Sequence, residues 1–165
     1  PFRLAAGGTL TELQQVAAAF AARQAAFDIG ALELRSDRGF VALRPQGAQA
    51  QLQGFATEIV KQFDHLRAPL TEADIARRRK ANLTERQDRQ MLDWGYPFIF
   101  DDFHFHLTLS GAVSQGDAAQ LMDALSTQVM PVVPSPFVID AITVMGQDSA
   151  GMFHQIQRYA LSGSR

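Results

Sequence analysis

Cysteine is absent from the 165-residue sequence, which removes disulfides, thiolate nucleophiles and thiolate metal ligands from consideration. No apolar run approaches the ~20 residues that span a bilayer, and the start does not read as a signal peptide. No membrane partner is therefore expected, and a cysteine-free chain of this kind suits the cytoplasm. Charge of one sign is also lacking: the formal net charge is -2, so nothing global attracts nucleic acid or anionic lipid. Neither a Walker-type nor a dinucleotide-type glycine loop occurs. Ser110-Gly111 is no nucleophile elbow, because no glycine precedes the serine at the required offset. Methionine is missing from the first position, where Pro1-Phe2-Arg3 stands, so the expectation is a processed chain or a fragment.

Hydrophobic residues make up 47% of the chain, enough for one compact domain with a real core. Within it the segment Phe103-His104-Phe105-His106-Leu107-Thr108-Leu109-Ser110-Gly111 reads as a strand. Alternation sends Phe103, Phe105, Leu107 and Leu109 to one face, which is expected to enter the core. His104, His106, Thr108 and Ser110 occupy the other face. That row offers a proton-transfer group that works near neutral pH, with hydroxyl donors for an anion. A solvated polar face is the plain alternative.

Around this strand the helix signals are regular. Thr9 with Glu12, or Thr11 with Gln14, opens a helix expected to reach about Gln24. Two strand-like pieces follow, Phe27 to Arg35 and Phe40 to Arg44, joined by a tight Ser36-Asp37-Arg38-Gly39 connection. Further helices are expected at about Gln49 to Phe63, Thr71 to Lys80, and from the Thr84–Gln87 capping box to Trp94, where Gly95 stops the last. After the histidine strand, a helix fits Gly116 to Val129. The end reads as a hairpin of Phe137 to Val144 and Met152 to Leu161. A helix followed by a hairpin thus occurs twice, which is a repeat of architecture only.

The block Trp94-Gly95-Tyr96-Pro97, an acidic spacer and Phe103-x-Phe105-His106-Leu107-Thr108-Leu109-Ser110-Gly111 resembles the DUF1045 family, phosphonate-metabolism proteins of the 2H phosphoesterase superfamily. The resemblance extends through Ala68-Pro69-Leu70, Arg77-Arg78-Arg79 and Leu83-Thr84-x-x-Gln87. It also reaches Pro1-Phe2-Arg3-Leu4-Ala5, which looks like the tail of the family's first His-x-Thr strand. It implies one α+β domain over residues 1–165. Its two pseudo-symmetric lobes hold two mostly antiparallel sheets with helices packed outside, and here the N-terminal strand is missing. It also implies metal-independent and cofactor-independent cleavage of a cyclic phosphate or small phosphodiester, such as a nucleotide or RNA end. His106 and Thr108 match the second catalytic motif; the first has no counterpart, so this chain alone is expected to be inactive.

His104, Tyr96 and Ser110 are the candidate substrate contacts, although many relatives would carry arginine where His104 stands. A non-catalytic phosphate, nucleotide or RNA-binding module of the same fold is the alternative function. A zinc site from His104 and His106 with Asp101 or Asp102 lacks an evident third ligand, His65 and His154 being distant in sequence. The basic residues from Arg77 to Lys80, with Arg86 and Arg89, are interleaved with carboxylates and read as a solvated face. An unpaired sheet edge left by the missing strand would favour self-association.

Overall fold

A computed structural model describes residues 2–37 and 39–164 of the chain. Five α-helices and seven strands occur among them. Helix α1 (Leu10–Arg23) starts where Thr9 accepts the Glu12 amide at 3.1 Å, satisfying one of the otherwise unbonded first-turn donors. Strands β1 (Phe27–Asp28), β2 (Leu32–Asp37) and β3 (Phe40–Pro45) follow. Then come α2 (Ala50–Phe63), α3 (Glu72–Arg79) and α4 (Glu85–Trp94). Thr71 with Asp74 and Thr84 with Gln87 close reciprocal capping boxes on the last two. Strand β4 (Leu107–Thr108), helix α5 (Gln115–Gln128) and strands β5 (Val138–Ile139), β6 (Ala141–Gln147) and β7 (Phe153–Ala160) complete the order.

The sheets are small, antiparallel and open: β2-β3-β4, β6-β7 and the two-residue ribbon β1-β5. Three sheets stand where two are expected, because both long strand predictions break. Gly30 takes φ +75, so the Phe27–Arg35 stretch divides into β1, paired with β5, and β2, paired with β3. Asp140 likewise separates β5 from β6. The β2–β3 register pairs Asp37 with Phe40, so the connection is shorter than four residues, with Gly39 at φ +89. Arg38, part of that predicted turn, lies outside the described residues.

The chain forms two compact units. The first comprises Pro1–Ala26, Gln53–Phe103 and Asp140–Arg165; the second comprises Phe27–Leu52 and His104–Ile139. In the first, α1 packs on the β6–β7 hairpin, and Phe20 meets Phe55 and Phe63 with ring centroids 5.6 and 5.9 Å apart. In the second, α5 packs on β2 and β3. The doubled helix-then-hairpin order is therefore real in sequence and exchanged in space. Each helix covers the hairpin that belongs to the other sequence repeat.

Candidate active site

Strand β4 belongs to the second unit and is held by β3, with Ala42 opposite Thr108 and Leu43 opposite Leu107. The paired region is much shorter than the nine residues that alternate in sequence. Just before that stretch, residues Phe100–Asp102 form a 3-10 turn. At the other end, the Leu109 amide donates to the Val41 carbonyl at 2.9 Å, but the Val41 amide donates to the Ser110 hydroxyl. A side chain replaces the next ladder carbonyl, and the strand ends there. Ser110 also donates to the Gly111 carbonyl at 2.9 Å, so its hydroxyl serves the strand terminus.

The expected apolar face is only partly interior. Phe103, Phe105 and Leu109 are half-buried and Leu107 is 36% exposed. Strand β4 is an edge, with no strand on its outer side among the described residues, so burial comes from β3 and from Phe137, whose ring lies 6.4 Å from that of Phe105.

The polar row survives. His104, His106 and Thr108 are all exposed. The His106 Nδ1 lies 2.8 Å from the His104 carbonyl oxygen. A carbonyl only accepts, so Nδ1 must carry a hydrogen, and in the neutral ring Nε2 is left with its lone pair. His104 thus acts on its neighbour through its backbone. The Phe40 ring, 5.8 Å from the imidazole, supports its other side.

Strand register adds two residues that periodicity alone did not reveal. Arg35 faces Ala42, which faces Thr108, so the three share a row and a sheet face. Arg44, opposite Glu33, lies on the same face. Arg35 bonds Glu33 through Nε at 2.7 Å, the same-face contact that two-residue spacing on a strand allows. The alternating Glu33-x-Arg35 and Arg44 were the available signal, but only pairing assigns them to the histidine side. The opposite face is apolar, with Leu32, Val41 and Leu43 buried.

Tyr96 belongs to the first unit, 44% exposed, after the left-handed Gly95 cap. The Arg78 guanidinium carbon lies 5.0 Å from its ring centre, and Phe98 meets its edge at 5.8 Å. In the same unit, the basic stretch is engaged in ion pairs: Arg77 with Asp74, Arg79 with Asp88 and Arg86 with Asp102. Those contacts hold the Asp88 carboxyl below its usual range and raise the Arg79 and Arg86 guanidinium groups. Asp74 is buried between Arg3, Thr71 and Arg77, and the Arg3 hydrogen bond is the largest influence holding it far below the ordinary carboxylate range. His154 contacts Asp148 at 2.7 Å in the β6–β7 turn. Among the described residues, no group of three or more histidine, aspartate or glutamate side chains is arranged to hold a metal ion.

A family described as "Protein of unknown function (DUF1045)" matches residues 1–154. The chain belongs to the DUF1045 family. Its similar relatives include a protein named ribose 1,5-bisphosphate phosphokinase PhnN from Janthinobacterium sp. (strain Marseille), 36% identical over 168 residues, covering 99% of this chain and 37% of the relative. Another of the same name, from Laribacter hongkongensis (strain HLHK9), is 32% identical over 117 residues, covering 71% of this chain and 27% of the relative. The chain therefore spans well under half the length of these relatives. No solved structure matches. No helix among the described residues is long and apolar enough to cross a membrane.

Proposed function

We propose that this DUF1045 chain carries one half of a 2H-type phosphodiesterase site, with His106 as its acid/base and Thr108 as its phosphate ligand. The observation that carries the reading is the contact between His106 Nδ1 and the His104 carbonyl. It fixes the tautomer that leaves Nε2 as a proton acceptor, and it steadies the imidazolium once formed. Water, or a hydroxyl of the substrate, attacks phosphorus as Nε2 takes its proton. The bond from phosphorus to the leaving oxygen then breaks, and a second group protonates that oxygen. Thr108, two residues further on the same face, donates its hydroxyl to a non-bridging oxygen.

The second acid/base group in this reading comes from the family's first His-x-Thr strand, which we place outside these 165 residues in the full polypeptide. The open edges of the small sheets are compatible with an added strand. The bilobal 2H fold is supported by the doubled helix-on-hairpin units.

The names of the relatives support a role in ribose phosphate chemistry, and a place in phosphonate metabolism is what the resemblance to the family implies. Their kinase activity finds no glycine-rich phosphate loop in this sequence, and we assign it to the remaining length of those proteins. The substrate proposed here is a cyclic phosphate or small phosphodiester of a ribose. Hydrolysis of a 2′,3′-cyclic nucleotide by the full-length polypeptide, followed with wild type and His106→Ala, tests the reading. Turnover that drops on the order of 10²–10⁴-fold in the variant supports it. Ligand binding with no turnover in the wild type would instead mark a binding module.

A further inference from the structure

We propose that Arg78, backed by Tyr96, forms a subsite for the phosphate or carboxylate group of a small ligand. Both residues belong to the first unit, and the inference does not rest on the diesterase reading. Arg78 differs from the arginines on either side of it. Arg77 and Arg79 are exposed and reach carboxylates, at 2.9 and 2.7 Å. Arg78 is half-buried, and among the described residues no carboxylate oxygen comes within 4 Å of its guanidinium nitrogens. Asp74, one turn earlier on α3, is taken up by Arg3, Thr71 and Arg77.

The Arg78 Nε is buried without a hydrogen-bond partner, whereas its terminal nitrogens are not buried and bond to no described residue. A guanidinium partly removed from water with no counter-ion is costly. An oxyanion that meets its terminal N–H groups relieves that cost, and the attraction is stronger there than beside an arginine in open water. Tyr96 supplies orientation. The guanidinium carbon lies 5.0 Å from the centre of its ring, and Phe98 steadies that ring at 5.8 Å. The ring is carried on a fixed turn, between the left-handed Gly95 and the buried Pro97. Contact with the ring limits rotation of the guanidinium, so less freedom is lost when its terminal donors meet two oxygens of a phosphate or carboxylate. Arg78 is thus the residue that touches the ligand, and Tyr96 is a positioning residue.

The competing account is a cation–π contact that only joins α3 to the turn after α4. A buried Nε–H exchanges slowly with water, so NMR follows the Arg78 side chain directly in the full-length polypeptide labelled with nitrogen-15 arginine. Its resonance is assigned by its loss in Arg78→Lys. The probes are inorganic phosphate and acetate, each titrated at an ionic strength held constant with sodium chloride. The proposal expects a saturable shift of the Arg78 resonance. A shift with phosphate alone assigns the subsite to a phosphoryl group, and a shift with acetate as well extends it to carboxylates. The Kd should rise about tenfold in Tyr96→Leu and stay unchanged in Arg89→Gln, a control at an exposed arginine of the same unit. Circular dichroism melts of each variant confirm that folded protein is compared. An Arg78 resonance that neither anion moves, a shift that chloride reproduces, an unchanged Kd in Tyr96→Leu or an equal loss in Arg89→Gln would overturn the subsite.

Discussion

His104 and His106 are neighbours on one face with different work, because one contributes its carbonyl and the other its ring. Replacing the His104 side chain leaves that carbonyl in place. His104→Ala is therefore expected to change kcat on a cyclic diester by less than about tenfold, against about 10²–10⁴-fold for His106→Ala. Comparable losses in steady-state kinetics of the two variants would refute this division. The alternation of histidines and hydroxyls was legible in the residues themselves. The roles of Ser110 and Arg35 were not, since Ser110 replaces a ladder carbonyl and Arg35 joins the face only through pairing across β3.

At the scale of elements, helix caps were the most legible feature, because they depend on residues three apart in sequence. Thr9, Thr71 and Thr84 all cap as their spacing implies. Gly95 ends α4 at φ +79, and a methyl group there would lie 2.7 Å from the Arg67 side chain. Arg67 itself joins Asp64 and the Asp93 carbonyl. Gly95→Ala is expected to cost about 1–2 kcal/mol for the left-handed backbone alone, read as a lowered urea midpoint. An unchanged midpoint would show that the cap relaxes freely. Strand lengths were less legible, since apolar alternation continues through Phe103–Leu109 whether or not a partner strand is present to bond it.

The ion pairs between elements give an acid limb to stability. Asp74, Asp88 and Asp148 have carboxyls lowered from 3.8 by Arg3, Arg79 and His154 respectively. Near pH 4 the unfolded chain binds more protons than the folded one, so stability rises with pH there. The contribution is complete above the unfolded value and is lost as pH falls through the lowered folded values. Denaturation midpoints measured from pH 6 to pH 3 should fall, and Asp74→Asn should both lower the pH 6 midpoint and flatten the fall. An unchanged slope in that variant would remove Asp74 as a contributor.

For the whole molecule, the repeated helix-hairpin order was legible and the exchange was not. Periodicity marks α1 as amphipathic, but does not fix which hairpin its apolar face meets. That choice is made by contacts across more than a hundred residues for α1 with β6 and β7. The same hairpin leaves Met145, Met152 and Phe153 exposed at 47%, 63% and 50%. With open sheet edges as well, the chain is expected to self-associate with rising concentration in sedimentation velocity, and one monomeric species throughout would contradict this.

In the function proposed above, His106 of this chain serves metal-independent cleavage of a phosphodiester. Its most direct test is turnover of a 2′,3′-cyclic nucleotide by the full-length polypeptide, with excess chelator present. The account predicts turnover that is insensitive to the chelator and falls roughly 10²–10⁴-fold in His106→Ala. Turnover abolished by the chelator, or undiminished in His106→Ala, would contradict it.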